Sequence, residues 1–432
     1  MTQASPAPGT ADLGYTRQDF PILSRSFGGK PLIFLDSAAS SQKPRQVVEA
    51  MSEYYYLHHA NVHRAAYGLS REATAMFESV RERLAAFLGA SSPDSLIFTR
   101  NTTEAINLAA RSWGLSNLNP GDEIIVTVAE HHANLVPWHL LARRTGAVVK
   151  GVRVDADLRL DLDHYRELLS DRTRLVAVAH MNNFSGALNP VAEMAALAHE
   201  QGALCLVDGA QGAPHLPVDV EAMGADFYTV SGHKMCGPTG AGALWVRPEV
   251  LQQMEVADGG GSIVTDVFVD SSSYKDSVAR FEPGTPAIAE VIGLGAAVDY
   301  LQEIGMEKIH EYDAQLTAYA LDRLRGLANV ELYGPEGPDR GGIVSFNIDG
   351  VHAHDVAAAF DEGGVAVRSG KHCVYPLLRQ LDRDAAVRAS FYFYNTRAEV
   401  DEFVNQLTAI RDRRAELAGD PEVRDCSPLA RA

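Results

Sequence analysis

A lysine follows an apolar run in Ser231-Gly232-His233-Lys234, and the turn sequence Gly237-Pro238-Thr239-Gly240 comes directly after it. A residue at the end of a buried strand lies in the crevice where parallel sheets bind ligands. A lysine amine placed there can form a Schiff base with a carbonyl compound. The alternative is a solvated lysine in a surface turn, because most lysines are exposed. The polar residues at the ends of other apolar runs help to decide between a Schiff-base lysine and a surface lysine.

Asp208 ends the apolar run ALCLVD, and Gln211 follows three positions later. A carboxylate at the end of a parallel strand suits the protonated ring nitrogen of a ligand. Pyridoxal 5′-phosphate needs this partner, because an Asp keeps the pyridinium charged and the ring an effective electron acceptor. Gln211 is a candidate hydrogen-bond partner for the phenolate oxygen of that ring. The alternative is that Asp208 only caps a turn with Gly209.

A phosphate group needs donors, and Asn101-Thr102-Thr103-Glu104 opens a helix after the run SLIFTR. Free amides and the dipole at a helix start attract anions, and threonine hydroxyls add donors. An ordinary N-cap is the alternative. Ser231 and His233 are further candidate donors beside Lys234.

His131 lies between the run EIIVTV and a predicted helix, in Glu130-His131-His132-Ala133-Asn134. An imidazole at this position can stack on a cofactor ring and move protons near neutral pH. A metal site is the alternative, with ligands drawn from His131, His132, His58, His59 and His63. No HExxH motif or cysteine-containing ligand set supports it, so we predict no metal.

Repeated apolar runs must position these side chains. SLIFT, EIIVTV, RLVAVAH, ALCLVD, DFYTVSG and GALWVR alternate with helical segments such as NLVPWHLLARRTG and VAEMAALAHEQG. Near-continuous apolar strands between amphipathic helices indicate an α/β fold with a mainly parallel sheet covered on both faces. Further along the chain, a helical stretch over 287–327 precedes strands in VELYG, GGIVSFNID, VAVRSG and RASFYFYN, with a helix in HDVAAAFDEGG. A final helix opens with a capping box at Thr396 and Glu399.

We therefore predict a flexible arm over 1–14, a large cofactor-binding domain over 15–290, a smaller α+β domain over 291–415 and a loose tail over 416–432. The first segment of the large domain is expected to pack with the small domain.

Composition excludes several classes of protein. The 432 residues carry 56 acidic and 38 basic side chains, a net charge of −18, which argues against nucleic-acid and anionic-membrane surfaces. No apolar stretch is long enough to span a membrane, and the N-terminus lacks the features of a signal peptide. We predict a cytoplasmic location. The four cysteines, Cys205, Cys236, Cys373 and Cys426, form no CxxC pair and no disulfide framework.

The chain resembles a class V, fold type I pyridoxal-phosphate enzyme, and within that class the group II cysteine desulfurases of the sulfur-mobilisation (SUF) system. The resemblance covers about residues 15 to 412. It is carried, in family order, by LDSAASSQKP (35–44), ANVHRAAYGLS (60–70), TRNTTEAINL (99–108), EHHANLVPW (130–138), VDGAQ (207–211), SGHKMCGPTG (231–240), FEPGTP (281–286) and RSGKHCVYPLL (368–378).

The resemblance implies a seven-stranded type of sheet, a homodimer with shared sites, and roles for matching residues. Lys234 would bind the cofactor covalently, His131 would stack on its ring, Asp208 would pair with the ring nitrogen and Gln211 would meet the phenolate. The phosphate would be held by Thr103, Ser231, His233 and Thr285 of the partner subunit. The substrate carboxylate would be bound by Asn183, Arg388 and Arg368. A guanidinium fork grips a carboxylate bidentately, which supports the assignment of Arg388.

Cys373 decides the reaction. It lies in a glycine-containing loop, Arg368-Ser369-Gly370-Lys371-His372-Cys373, whose cations favour a nucleophilic thiolate. The general alternative for a cysteine is a small buried residue, which fits Cys205 better. The resemblance then implies conversion of L-cysteine to L-alanine, with a persulfide on Cys373 that passes to a SUF acceptor protein for iron–sulfur cluster assembly.

Two alternatives stay open. One is a selenocysteine lyase or cysteine-sulfinate desulfinase on the same scaffold, and the other is a non-catalytic docking scaffold for a sulfur acceptor. The chain also departs from the family pattern at Lys371, Asn182 and Asp258.

Overall fold

The computed structural model describes residues 13–63 and 65–417. The predicted arm and tail, with Cys426, fall almost wholly outside these ranges. The described residues form a central seven-stranded sheet, a four-stranded sheet and helices that pack on both. None of the described helices combines the length and apolarity needed to cross a bilayer.

The central sheet confirms the predicted α/β class. Its strands are β1 (Leu96–Thr99), β2 (Glu123–Thr127), β3 (Val148–Val152), β4 (Thr173–Ala179), β5 (Leu204–Asp208), β6 (Phe227–Ser231) and β7 (Gly242–Val246). Their order is β1-β7-β6-β5-β4-β2-β3, and β7 alone runs antiparallel to both of its neighbours. The sequence did not predict β3, because this edge strand is half-exposed and carries Lys150 and Gly151 within its five residues.

The central strands are apolar along their whole length because both faces of the sheet are covered. In β5, Cys205 and Val207 enter one core cluster and Leu206 enters the other. This alternation follows from the two-residue period of a strand. Full burial of one such aliphatic side chain contributes about 1.5–3 kcal/mol to folding.

The longer helices cover these faces and build the second domain. They are Arg45–Glu53, Gly68–Phe87, Thr102–Ala109, Val136–Thr145, Leu162–Leu168, Val191–Glu200, Ile288–Ile304, Met306–Leu324, Ala353–Glu362, Tyr375–Gln380 and Arg397–Asp412. The stretch predicted as one helix over 287–327 is two helices. Gly305 separates them with φ of +95°, a backbone conformation that glycine adopts readily and that ends the first helix.

The second sheet contains β8 (Val330–Tyr333), β9 (Ile343–Ile348), β10 (Arg368–Gly370) and β11 (Ala386–Ser390), in the antiparallel order β8-β9-β11-β10. The run VAVRSG is not a single strand, because Val365–Ala366 instead pairs in parallel with Ile33–Phe34. The capping box at Thr396 and Glu399 is formed. The domain boundary at residue 290 stays a prediction.

The topology brings distant residues to one edge of the central sheet. Strands β2, β4, β5 and β6 run in the same direction. Strand β1 also runs in this direction, because β1 and β6 are both antiparallel to β7, the strand between them. The residues that follow these five strands therefore meet at one edge, where open α/β sheets bind ligands.

Candidate active site

A cavity of about 350 Å³ lies at this edge, next to the cysteine-containing loop of the small sheet. All the predicted site residues except Thr285 line it: Lys234, Cys373, His131, Asp208, Gln211, Thr103, Ser231, His233, Asn183, Arg388 and Arg368. Thr285 is exposed and lines a separate cleft of about 630 Å³. The volume of the first cavity suits a small cofactor or ligand.

Lys234 ends a short 3-10 turn, Gly232–Lys234, directly after β6. Glycine is needed at 232, because a Cβ atom there would lie 2.8 Å from the carbonyl oxygen of Ala241. Burial lowers the pKa of Lys234 to about 8, although the nearby Asp208 carboxylate acts in the opposite direction. A substantial fraction of the Lys234 amine is therefore neutral, and nucleophilic, near physiological pH.

The peptide bond before Lys234 is held by an N-terminal loop. The His233 carbonyl oxygen accepts from Ser41 N at 3.0 Å, Ser40 Oγ at 3.0 Å and Lys43 Nζ at 2.9 Å. Several donors on one carbonyl restrict the position of the backbone that carries the Lys234 side chain. In the sequence this loop belongs to the family motif LDSAASSQKP (35–44), which by itself predicts no role for it.

Asp208 closes β5 and is only 5% exposed. One of its oxygens, Oδ1, accepts from Ala210 N at 2.9 Å. Burial raises the pKa of Asp208, and the charge of Lys234 opposes that rise. Gln211 is oriented by donating Nε2 to the Ala38 carbonyl at 2.7 Å, and its buried Oε1 has no partner. A cationic ring nitrogen of a ligand near Asp208 would favour the ionised form of the Asp208 carboxyl group.

His131 accepts a hydrogen bond at Nδ1 from Ala133 N, at 3.1 Å. This contact leaves Nε2 to carry the proton of the neutral imidazole. Burial, followed by the charges of Lys234, His132 and Arg388, lowers the pKa of His131 to about 3. His131 is therefore neutral at pH 7. From the sequence we expected an imidazole that titrates near neutral pH. His131 offers a ring face and a donating N–H.

The start of helix Thr102–Ala109 faces the cavity. Asn101 caps it by accepting from Glu104 N at 2.9 Å, and Thr102 N donates to Ser231 Oγ at 2.9 Å. Thr102 Oγ1 is buried without a partner, and Thr103 is exposed on the cavity wall. Unpaired polar atoms at a helix start fit an anionic group such as a phosphate.

Cys373 is the only exposed cysteine among the three that the structure describes. Burial raises the pKa of the thiols of Cys205 and Cys236, the latter to about 12, so both stay protonated. His372 and Cys373 both adopt left-handed backbone conformations, with φ of 48° and 56°. Non-glycine residues adopt such conformations at a cost of about 1–3 kcal/mol, and they cluster at functional sites.

The cysteine loop is anchored on both sides. His132 N donates to the Cys373 carbonyl at 3.0 Å, and Asn183 Nδ2 donates to the His372 carbonyl at 2.8 Å. The His372 ring contacts the Ala386 carbonyl through Nε2 at 2.8 Å. These contacts hold the strained backbone and direct Cys373 into the cavity wall.

Arg388 is buried, and its Nη1 donates to the Asn183 carbonyl at 2.8 Å. Its Nη2 lies 3.5 Å from Asp36 Oδ1, and its Nε is buried without a partner. Arg368 is half-exposed and binds the same carboxylate, with Nη2 2.9 Å from Asp36 Oδ2. Asp36 was not predicted as a site residue. The only signal was its place at the start of a polar loop after a short apolar run.

Two of the other histidines considered as metal ligands contact carboxylates instead. His58 lies 2.9 Å from Glu72, and His63 lies 2.8 Å from Glu78. Within 13–63 and 65–417, no group of three or more His, Cys, Asp or Glu side chains is arranged to hold a metal ion.

Comparison with known proteins places this chain in a family. The family model described as aminotransferase class-V matches residues 33–403. The chain belongs to the class-V aminotransferase family. The match covers both sheets and the positions of all the predicted site residues, and it confirms the resemblance to the class V enzymes that the sequence indicated.

Individual relatives agree with this placement. The chain is 51% identical to a Synechocystis protein named "Probable cysteine desulfurase", over 91% of this chain and 94% of that one. It is 48% identical to a "Cysteine desulfurase" of Haloferax volcanii, over 93% and 97% of the two chains. The apo structure of a cysteine desulfurase from Thermococcus onnurineus matches with a TM-score of 0.88 and 36% identity, over 95% of this chain and all (100%) of that one.

Proposed function

We propose that this chain is a pyridoxal-phosphate-dependent cysteine desulfurase, which converts L-cysteine to L-alanine and retains the sulfur as a persulfide on Cys373. One observation carries the proposal: an exposed, conformationally strained cysteine shares a cavity with Lys234, buried Asp208 and the Arg388 guanidinium. The test is to measure alanine formation from cysteine, selenocysteine and cysteine sulfinate. Cysteine sulfinate as the only good substrate would contradict the proposal.

The cavity fits the cofactor group by group. Lys234 would hold it covalently, Asp208 would pair with its ring nitrogen, Gln211 with its phenolate, and Thr103, Ser231 and His233 with its phosphate. The buried atoms without partners, Thr102 Oγ1 and Gln211 Oε1, lie in the walls of this cavity. When bound, the cofactor supplies an aldehyde for the amino group and a ring that accepts electrons.

Three residues of the chain handle protons and charge. The Lys234 amine, once free, takes the Cα proton of the substrate, and its lowered pKa supports this role because it makes the neutral base available. Asp208 provides negative charge opposite a cationic ring nitrogen. His131 presents a ring face and the Nε2 proton.

Cys373 performs the sulfur step. Its thiolate sulfur attacks the substrate sulfur, so that an S–S bond forms while the bond between substrate sulfur and Cβ breaks. The electron pair of the broken bond stays with the carbon fragment, which gains protons and leaves as alanine. Arg388 and Asn183 hold the substrate carboxylate during this step, with Arg368 beside them.

Covalent capture of pyridoxal phosphate by the apo-protein is expected to depend on pH. Only the neutral Lys234 amine reacts, so the rate should rise with pH and level off above the Lys234 pKa of about 8. The Asp208 carboxylate raises this pKa, so Asp208→Asn should move the midpoint to lower pH. Stopped-flow absorbance measures both midpoints. A midpoint that moves upward in the variant would show that the charge of Asp208 does not act on Lys234 in this way.

Arg388→Lys is expected to raise KM for cysteine by about tenfold, with a smaller effect on kcat, because lysine cannot form the two-pronged contact with a carboxylate. Steady-state alanine formation measures both constants. Arg383→Lys is a matched control, because Arg383 is exposed and pairs with Glu331 away from the cavity. An unchanged KM in Arg388→Lys would remove Arg388 from the substrate site.

The proposal also covers the oligomeric state, the sulfur acceptor and the cellular location of the protein. The chain acts as a homodimer in which Thr285 of the partner subunit completes the phosphate site, and its persulfide passes to a SUF acceptor for iron–sulfur cluster assembly in the cytoplasm. Support for the shared site comes from the exposed position of Thr285, outside the cavity of its own protomer. Sedimentation velocity tests the dimer, and transfer of labelled sulfur to a SUF acceptor tests the partner.

A further inference from the structure

A single carboxylate, Asp36, contacts both arginines of the cavity. Arg368 Nε lies 3.1 Å from each Asp36 oxygen, and Arg368 Nη2 lies 2.9 Å from Oδ2. Arg388 Nη2 approaches Oδ1 at 3.5 Å. Asp36 forms a parallel bridge with Ser390 at the end of β11, which places it beside the strand that carries Arg388. A substrate carboxylate bound by these arginines would lie next to Asp36.

Asp36 and the two arginines together carry a net charge of one positive unit. Arg368 and Arg388 carry two positive charges, and Asp36 carries one negative charge. The neighbouring ring of His372 is neutral at pH 7, because burial and the arginines lower its pKa to about 3. Lys234 and Asp208 also line the cavity and interact electrostatically with each other. The net charge beside the arginines therefore matches a ligand with a single carboxylate.

The reacting sulfur lies within the field of the same groups. Cys373 lines the cavity with both arginines and interacts electrostatically with each of them. A substrate sulfur within reach of Cys373 therefore shares the cavity with the two arginines that Asp36 contacts. Charge–charge interactions in such a partly buried site are screened much less than at an open surface.

We infer that Asp36 determines substrate specificity by charge: it disfavours amino acids whose side chain carries a second negative group, such as a sulfinate or sulfonate, relative to those with a neutral side chain. This inference rests on the proposed function for the identity of the substrate. Asp36 also orients Arg368, and loss of that role alone would weaken the binding of all carboxylate ligands by the same factor. The relative affinity for two ligands separates the two effects.

The experiment compares wild-type holoenzyme with Asp36→Asn. Calorimetry measures the dissociation constants of L-alanine and of L-cysteate, which carries an additional sulfonate. The preference for cysteate over alanine is expected to rise about tenfold in Asp36→Asn. The ratio of kcat/KM for cysteine sulfinate to that for cysteine should rise in the same direction. Asp339→Asn, which removes an exposed carboxylate paired with Arg159, should leave both ratios unchanged.

A second variant tests the inference from the opposite side. Arg368→Gln removes one positive charge and should weaken cysteate more than alanine. Ratios that stay at the wild-type value in both variants would overturn the inference. A wild-type enzyme that forms no alanine from cysteine would refute the proposed function, whereas the two binding ratios would still test the role of Asp36.

Discussion

Lys234→Ala is expected to lose the visible absorption that the wild-type protein shows with pyridoxal phosphate, and to form alanine from cysteine at least about a thousandfold more slowly. The variant removes the residue that we propose as both the covalent anchor and the base for the Cα proton. Asp208, Gln211 and the helix start at Thr103 are unchanged, so the protein should still bind the cofactor non-covalently. Absorption spectra and alanine assays on purified protein measure the two losses.

Lys308→Ala provides the matched control, because Lys308 is exposed on the helix Met306–Leu324 and lies outside the cavity. It should retain the spectrum and the rate of the wild type. A Lys234→Ala protein with the wild-type spectrum would show that another amine holds the cofactor. A normal spectrum combined with a normal rate would refute the account of the cavity.

Cys373→Ala is expected to retain the wild-type spectrum and to lose alanine formation and sulfur transfer, on the order of a thousandfold or more. Removal of a nucleophile commonly costs this much or more, because the remaining groups cannot replace it. The cofactor groups lie on the strand ends of the central sheet, whereas Cys373 lies on the loop after β10, so cofactor binding should be intact. Rates with cysteine and an acceptor thiol measure the loss.

Cys236→Ala is the control for the loss of a thiol. Cys236 is buried two residues after Lys234, and its raised pKa of about 12 keeps it protonated. This variant should remain active even if its stability falls. Equal losses in the two cysteine variants would point to a general structural effect rather than to nucleophilic chemistry.

The large sheet was predictable because its central strands are buried on both faces and are therefore apolar along their length. Edge strand β3 lacked that pattern, since its side chains are partly in water. The break at Gly305 was missed because the apolar residues on either side of it read as one continuous helix. Val365–Ala366 was misassigned because its partner Ile33–Phe34 is remote in the sequence.

The site was predictable where its residues follow apolar strands. Asp208, Lys234 and His131 each stand near the end of such a run, and parallel topology alone brings them together. The proposed role of Asp36 depends on partners 332 and 352 residues away, which no local pattern reveals. The neutrality of His131 depends on burial and on neighbouring cations, which also emerge only from the tertiary fold.

The central claim, that Cys373 takes the sulfur of cysteine, is tested most directly by mass spectrometry of the peptide that contains Cys373. The holoenzyme is mixed with L-cysteine in the absence of an acceptor and quenched with an alkylating agent after one turnover. We predict that this peptide gains one sulfur atom and that one alanine is released for each modified site. Alanine release with no added sulfur on Cys373, or with the added sulfur on another cysteine, would contradict the account.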